Sequence, residues 1–392
     1  VKFEINERRI ADYRLAADFL NTSRVNVVSI QHEYGIFGGE NGEHILKLIQ
    51  QLHMPVVTTL HTVLKDPTDG QRHIMLELAR LSDRLVVMAH KAHAFLKDIY
   101  QIPDQKIVHI PHGIPDVPFI DPNFYKDQFG VEGKKVILTF GLLSSGKGIE
   151  LMIDALPQIV EVYPQTVYIV LGATHPHVQA TAGEDYRTAL ERRAEKKGVS
   201  ENVIFHNHFV ELKELCEYLG AADIYVTPYL SEAQIVSGSL AYALGAGNAV
   251  VSTPYWYAQE LLGNGRGRLV PFKDANSLAA SIINLLDKEV ERHAMRKQGY
   301  LHTRPFVWSK VARQYLSIFN QCEQERRDSP RPATTTLRTV ARKPELPEIK
   351  LDHLRALTDD TTILRHAKAE VPDLAHGYST DETARALIAV LK

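Results

Sequence analysis

Short apolar segments of strand length alternate with helix-length segments along most of this sequence. The apolar segments are residues 26–30, 55–60, 84–88, 106–110, 136–140, 167–171, 203–206, 224–226 and 249–252. The segments between them, such as residues 149–162, carry the apolar spacing of amphipathic helices. Strands joined by crossover helices form parallel sheets that are covered on both faces. The sequence therefore predicts an α/β fold.

Prolines interrupt this alternation near Asp121, after which it restarts. We expect two Rossmann-like domains, at residues 1–121 and 122–325, with ligands bound where the carboxyl ends of strands face the cleft between them. Residues 326–350 are polar, contain prolines and are rich in threonine and arginine, which is typical of a linker. Residues 351–392 carry two helical patterns, at 351–368 and 380–391, which predict the start of a third, helical module.

Composition excludes several classes of protein. The 392 residues are 44% hydrophobic and 23% charged, with a formal net charge of -2, so no general attraction to nucleic acid or anionic membranes is expected. The apolar runs are too short to span a bilayer, and no signal peptide is visible, so no integral membrane segment is expected. The only two cysteines, Cys216 and Cys322, argue against a disulfide framework and favour a reducing compartment such as the cytoplasm.

Two glycine-containing loops follow predicted strands and lead into helices. One is residues 141–148, which contains Lys147, and the other is Ser237-Gly238-Ser239, before an alanine- and leucine-rich helix. Backbone N–H groups and the helix dipole favour an anion at such a loop, most often a phosphate, and a lysine adds a positive charge. The simpler interpretations are that Lys147 is a solvated surface side chain and that Ser237 only caps its helix.

Several motifs resemble those of the retaining, nucleotide-sugar-dependent glycosyltransferases of family 4. The matching segments, within residues 1–324, are QHEYGIFGG, HIPHGIPD, FGLLSSGKGIE and LAYALGAGNAVVSTPYW. The resemblance implies the B-type fold of two Rossmann-like domains, here without its first strand. It implies transfer of a sugar from a nucleoside diphosphate donor to an acceptor hydroxyl, with retention of configuration, in polysaccharide or glycoconjugate synthesis. The expected partners are a nucleotide-sugar donor and a carbohydrate or glycoconjugate acceptor.

The resemblance also implies roles for individual residues. Leu142 replaces the arginine of the family's diphosphate loop, and Gln234 and Tyr242 replace its two glutamates. The catalytic residues expected are His61, Lys147 and Gln234. The residues expected to bind the donor are Gly141, Ser144, Ser145, Ser237, Gly238, Ser239, Tyr242 and Glu260. Glu260 has an alternative interpretation, as a helix-starting residue packed inside its domain.

Three histidines near predicted strand ends are candidates for the cleft. His61 follows residues 55–60 and matches a family histidine that lies beside the donor sugar, although a strand-end histidine is often purely structural. His32 and Glu33 end the preceding strand and are candidate acceptor contacts. His112 is the third candidate, and the simpler interpretation is that it shapes its turn.

No metal or cofactor is expected, apart from the nucleotide sugar as a co-substrate. Histidines pair at 90 and 93, 175 and 177, and 206 and 208, but no pair has a third ligand at a diagnostic spacing. The hypothesis is that phosphate-binding groups, rather than a metal, stabilise the leaving group.

The last segment, around His366 and from Gly377 to Leu387, resembles the opening of an (α/α) toroid of the glycosidase type. Asp381 is there either an acid or, more simply, a helix N-cap. Two further functions stay open: a catalytically silent domain that binds sugar or nucleotide for this module, and a phosphorylase that uses a sugar phosphate.

Overall fold

The computed structural model describes residues 3–174, 183–329, 351–368 and 371–391. The chain divides into two compact units, Val1–Arg331 and Pro332–Lys392. The first unit contains two α/β domains, each built on its own parallel sheet. The predicted α/β class with two Rossmann-like domains is confirmed.

The N-terminal domain has a parallel four-stranded sheet in the order β1-β2-β3-β4. Its strands are β1 Val28–His32, β2 Val56–Leu60, β3 Arg84–Val87 and β4 Ile107–His109. Its helices are α1 Ile10–Thr22, α2 His44–Ile49, α3 Asp69–Leu81 and α4 His90–Asp98. Every residue of β2 is buried, as expected for an inner strand with both faces covered.

The C-terminal domain has a parallel six-stranded sheet in the order β10-β9-β8-β5-β6-β7. Its strands are β5 Lys135–Phe140, β6 Thr166–Leu171, β7 Val203–His206, β8 Ile224–Thr227, β9 Ala249–Ser252 and β10 Arg268–Leu269. The chain runs outward in one direction from β5 and in the other from β8, so the order reverses between these two strands. In doubly wound sheets the ligand lies at the carboxyl ends of the strands at this reversal.

The helices of the C-terminal domain pack on both faces of its sheet. They are α5 Ile149–Val162, α6 Asp185–Lys196, α7 Leu212–Ala221, α8 Gly238–Gly245, α9 Trp256–Leu262, α10 Ala275–Asp287 and α11 Glu289–Thr303. Helix α5 buries an apolar stripe at three- and four-residue spacing, from Ile149 through Met152 and Leu156 to Ile159. This spacing is the reason that the helix could be located from the sequence.

Helix α12, Trp308–Asp328, crosses back to the N-terminal domain. Its Val311 and Cys322 share a buried cluster with Val57 and Val86 of the N-terminal sheet. The sequence assigned most of α12 to the second domain and residues 326–350 to a linker. The helix instead continues to Asp328 and packs on the first domain.

Helix α11 was not predicted, because the residues it buries are mostly not apolar. Arg292 and Arg296 are buried there together with Met295. The Arg296 guanidinium donates to the carbonyls of Gly247, at 2.7 Å, and Ile120, at 2.6 Å. Hydrogen bonds to backbone carbonyls therefore replace the apolar contacts that a sequence pattern would reveal.

The second unit is only partly helical. Its elements are α13 Asp352–Ala356, β11 Ala367–Lys368, β12 Val371–Pro372 and α14 Thr380–Leu391. The prediction of one helix over residues 351–368 was wrong, since the Asp359 carboxylate accepts from the backbone N–H groups of Thr361 and Thr362 and turns the chain. Asp381 lies in the first turn of α14 and pairs with Arg385 at 3.0 Å.

Candidate functional site

The loops that follow β5 and β8 touch each other at the reversal of the sheet order. β5 pairs directly with β8 through Ile137 and Ile224. The Leu230 N–H donates to the Gly146 carbonyl at 3.1 Å, and a Cβ at Gly148 would lie 2.0 Å from the Pro228 oxygen. Gly148 also has a positive φ of 64°, so this approach of the two loops requires glycine.

A chain of hydrogen bonds connects the two predicted phosphate loops. The Lys147 ammonium donates to the Tyr229 hydroxyl at 3.1 Å and lies 4.2 Å from the centre of that ring. The Tyr229 hydroxyl is 3.0 Å from the Ser239 hydroxyl, which is 3.1 Å from the Ser237 hydroxyl. The structure therefore brings Lys147, Ser237 and Ser239 together through Tyr229.

Tyr229 was missed by the sequence analysis, although a signal for it was present. It directly follows Pro228 at the carboxyl end of β8, the end at which ligands bind in such sheets. Its ring stacks on Tyr255, with 4.9 Å between centroids and 18° between planes. The stacked ring holds the hydroxyl between Lys147 and Ser239.

Ser237 caps α8, and its hydroxyl accepts from the Leu240 N–H at 3.3 Å. The capping interpretation is thus confirmed, and it is compatible with an anion at the first turn of the helix. Gly238 is packed against His112, because a Cβ there would lie 2.9 Å from His112 Nε2.

His112 reaches across from the N-terminal domain to the start of α8. Its Nδ1 lies 2.8 Å from the Gly113 carbonyl and donates to it, so Nε2 carries the lone pair. Burial lowers the pKa of His112. The ring also contacts Tyr242 edge-on at 5.9 Å. His112 therefore both fixes its own turn and contacts the predicted phosphate loop.

The loop from Gly141 carries the remaining residues predicted for the diphosphate. Gly141 has a positive φ of 137°, and the Lys147 N–H donates to the Ser144 carbonyl at 3.0 Å. Ser145 begins the short 3-10 turn that contains Lys147. Ser144 and Ser145 thus belong to the same tight loop as the lysine.

His61 lies at the carboxyl end of β2, as predicted. Its Nε2 is 2.8 Å from the Gln31 amide oxygen. Burial lowers the pKa of His61, and the nearby Glu33 opposes that shift. The Glu33 carboxylate accepts from the Thr62 hydroxyl at 2.7 Å. His61 and Glu33 therefore belong to one polar group at this edge of the sheet.

His32 does not face the cleft, and its predicted contact with the acceptor is contradicted in this conformation. It is fully buried between Tyr34 and Phe37, and burial together with the neighbouring His61 lowers its pKa to about 4. Neither ring nitrogen has a hydrogen-bond partner among the described residues. Side chains alternate along β1, so Gln31 points to the open side and His32 points inward.

A cavity of about 560 Å³ opens beside His61 and His112. Its polar lining includes Gln31 and Thr59, at the carboxyl half of the N-terminal sheet. Trp308 and Phe319 of helix α12 form part of its apolar wall. A mostly apolar cavity with a few polar groups at one end is typical of a small-molecule site.

Gln234 is turned toward its own loop. Its amide donates to the Val236 carbonyl at 2.6 Å. Its backbone carbonyl accepts from the Tyr257 N–H at 3.2 Å, and the Glu232 carbonyl accepts from the Trp256 N–H at 3.1 Å. The loop thereby supplies hydrogen-bond acceptors to the backbone N–H groups in the first turn of α9. Gln234 itself is exposed at the surface of this loop.

Glu260 is engaged away from the predicted phosphate loops. Its carboxylate accepts from the backbone N–H groups of His90, at 2.9 Å, and Lys91, at 3.3 Å, at the start of α4. Both oxygens cap a helix of the other domain, so the predicted contact with the donor stays a prediction. The alternative, packing within its own domain, is incorrect.

The predicted histidine pairs have different surroundings. His93 pairs with Asp104 at 2.8 Å, and the rings of His206 and His208 meet edge-on at 5.9 Å. His175 and His177 lie outside the described residues. His90 instead approaches His109 and Glu260, a group of possible metal ligands that the sequence did not reveal.

None of the helices in the described part of the chain combines the length and apolarity needed to cross a membrane.

Comparisons with known proteins agree with this architecture. Residues 122–302 match the family model of the group 1 glycosyl transferases. A phosphatidyl-myo-inositol mannosyltransferase of Mycolicibacterium smegmatis is 25% identical over 213 residues, which cover 54% of this chain and 51% of that protein. A D-inositol 3-phosphate glycosyltransferase of Kineococcus radiotolerans is 24% identical over 301 residues, covering 70% of this chain and 67% of that protein. The chain thus spans about half the length of the mannosyltransferase that it matches.

Solved structures share the fold over a larger part of the chain. Sucrose-phosphate synthase from Thermosynechococcus elongatus superposes with a TM-score of 0.67 at 18% identity, covering 82% of this chain and 81% of that one. HepE from Anabaena, solved in complex with UDP, gives a TM-score of 0.63 at 17% identity, covering 79% of this chain and 82% of that one. Residues 122–302 therefore resemble the group 1 glycosyl transferases, in a chain whose two α/β domains share the GT-B fold of these solved structures.

Proposed function

We propose that this protein transfers a sugar from a nucleoside diphosphate donor to an acceptor hydroxyl, with retention of configuration, in polysaccharide or glycoconjugate synthesis. The observation that carries the proposal is the hydrogen-bonded chain from Lys147 through Tyr229 to Ser239 and Ser237. It joins two loops of the type that binds phosphate, at the point of the sheet where such ligands bind.

The donor diphosphate lies between Lys147 and the start of α8 in this proposal. The ammonium group and the N–H groups of Gly238 and Ser239 are aimed at the phosphate oxygens, where negative charge develops as the glycosidic bond breaks. Fixed donors of this kind stabilise a leaving group without having to reorganise. No divalent metal is needed for this step. HepE of Anabaena was solved with UDP, which makes uridine nucleotides the first donors to test.

The acceptor enters from the N-terminal side in this proposal. The cavity beside His61 and His112 has polar groups at one end and an apolar wall along α12. A sugar hydroxyl next to the histidines and an apolar portion along Trp308 would match this lining. That arrangement favours a glycoconjugate acceptor over a free monosaccharide.

A second candidate is a catalytically silent domain that binds a nucleotide or sugar for the C-terminal module. The observation in its favour is that Gln234 and Tyr242 replace two glutamates and that Gln234 is turned onto its own loop. The phosphorylase hypothesis uses the same anion site with a sugar phosphate. The toroid-like character of residues 351–392 remains a hypothesis, as does a cytoplasmic location, for which the free thiols of Cys216 and Cys322 give support.

A thermal-shift panel on the full chain tests the anion site. Nucleoside diphosphates and their sugars are expected to raise the melting temperature increasingly with their concentration, because they bind the folded state. We expect them to act at lower concentration than sugar phosphates, in the presence of a chelator as well as without it. A response to sugar phosphates alone would favour the phosphorylase. A response to none of these ligands would contradict the proposed site.

A further inference from the structure

Three side chains from both domains meet where α9 contacts the start of α4. His90 is the first residue of α4, His109 is the last residue of β4, and Glu260 lies in α9. Each offers one ligand atom, and these atoms all lie within 4.8 Å of one another. This group shares no residue with the chain from Lys147 to Ser237.

One ring nitrogen of His109 is buried and has no hydrogen-bond partner among the described residues. That nitrogen is Nε2, and the ring has the backbone of Met88 as a neighbour. A buried acceptor without a partner destabilises the folded state. Histidines that bind metals usually donate their other N–H to a carbonyl or carboxylate, which fixes the tautomer. The unpartnered Nε2 therefore leaves His109 one buried ring nitrogen that is available to a metal ion.

Glu260 is also held in place. Its two oxygens accept from the backbone N–H groups of His90 and Lys91. A carboxylate has about four lone-pair sites, so one hydrogen bond to each oxygen leaves capacity for a cation. The backbone contacts fix the carboxylate beside the two imidazoles and leave lone pairs on its oxygens for a cation.

We propose that His90, His109 and Glu260 bind a transition-metal ion of the Zn²⁺ class, which links the two domains. Two imidazoles and one carboxylate are a donor set that suits Zn²⁺, whereas Mg²⁺ and Ca²⁺ prefer oxygen ligands alone. The fourth position is left to water. The ion stabilises the contact between the domains and takes no part in sugar transfer.

Binding of the ion requires one rearrangement. The rings of His90 and His109 stack with 4.0 Å between centroids and 21° between planes. Imidazole lone pairs lie in the ring plane, so stacked rings do not direct them at one point. Tetrahedral zinc ligands lie about 3.4 Å apart, given metal–ligand distances of about 2.1 Å. The exposed His90 ring must therefore turn toward Glu260, while His109 stays in place.

The test uses the full chain after removal of metals with a chelator. Co²⁺ is titrated while its visible absorption is followed, and Zn²⁺ is titrated in a calorimeter. We expect one ion per chain and a rise in melting temperature with Zn²⁺. His90→Ala, His109→Ala and Glu260→Gln should each weaken binding at least about tenfold. His208→Ala, at an exposed histidine of the C-terminal domain, should bind as the parent does.

The readouts are affinity and melting temperature with the metal alone, so they do not depend on the proposed sugar transfer. Absence of saturable binding by the parent would overturn the proposal. Binding that is unchanged in His90→Ala and Glu260→Gln would overturn it as well. His90 is exposed, so the fold should tolerate His90→Ala, and this variant still tests the proposal if His109→Ala fails to fold.

Discussion

Tyr229 connects the two loops that are predicted to bind phosphate. Its hydroxyl lies between the Lys147 ammonium and the Ser239 hydroxyl. The ammonium therefore has neutral partners in this network and no described carboxylate within ion-pairing distance, so its charge remains available to an anion. A lysine that serves stability alone would be expected to pair with an acid, as Lys126 does with the buried Asp223 at 2.8 Å.

Replacing Lys147 tests this charge directly. Lys147→Ala should weaken the binding of a nucleoside diphosphate by about 1.5–3 kcal/mol, because charge-assisted phosphate contacts are lost. Isothermal calorimetry measures the change. Lys213→Ala is the matched control, since that lysine is almost fully exposed on α7. Equal affinities for the parent and a folded Lys147→Ala protein would remove Lys147 from the site.

His32 makes a prediction about pH. Its folded pKa of about 4 lies below the ordinary 6.5, so the unfolded chain binds the proton more readily. The contribution of His32 to the free energy of unfolding should therefore be fully present above about pH 6.5. It should decrease as the pH falls toward 4, by roughly 3 kcal/mol at most. His32→Phe should remove that part of the loss. Urea unfolding of the parent and of His32→Phe at pH 7.5 and 4.5 measures this loss. If both proteins lose the same free energy of unfolding between the two pH values, His32 is not its source.

The residue scale is also where sequence reasoning failed most clearly. The Gln31-His32-Glu33 segment was recognised, but the inward-facing histidine was chosen over the glutamine beside it. The choice depends on the register of β1, and a shift of one residue exchanges its two faces. The contact of Glu260 with α4 could not be predicted either, because it depends on how the two domains meet.

At the scale of elements, apolar periodicity located most strands and helices. Strands β7 and β9 and helix α5 begin and end at the residues predicted. The two predictions that failed did so because of polar residues. Helix α11 was not predicted because it buries arginines, and the helix expected over residues 351–368 is interrupted by the turn at Asp359. Helix α12 was found, but its packing on the N-terminal sheet depends on contacts between residues that are far apart in the sequence.

The end of α12 can be tested through its anchor. Arg326 donates to both oxygens of Asp83, at 2.7 and 2.9 Å, and both side chains are mostly buried. Arg326→Ala should lower the free energy of unfolding by about 1.5–3 kcal/mol, because Asp83 loses charged hydrogen bonds in a partly buried position. Denaturant unfolding measures this loss.

The neighbouring Arg327 provides the control. It pairs with Glu323 at the surface, with 67% of its side chain exposed. Exposed pairs contribute about 0–1 kcal/mol, so Arg327→Ala should leave stability nearly unchanged. If the two variants lose equal stability, the Arg326–Asp83 pair does not anchor α12.

At the scale of the whole molecule, the residues predicted for the donor and for the acceptor approach each other where the two α/β domains meet. His112 packs on Gly238, so the N-terminal domain directly contacts a loop that is predicted to bind phosphate. A binding domain alone does not require this arrangement. A transferase does, because the acceptor hydroxyl must reach the donor sugar.

The measurement that tests this account most directly is turnover by the full chain with a panel of nucleoside diphosphate sugars and glycoconjugate acceptors. We predict that the parent transfers or hydrolyses at least one donor. We also predict that Gln234→Ala lowers turnover more than donor affinity, since a contact to the reacting sugar strengthens in the transition state while the phosphates are held by other loops. Calorimetry on the same samples supplies the affinities. A parent protein that binds a donor and yet neither transfers nor hydrolyses it would contradict the proposed function and favour the silent domain.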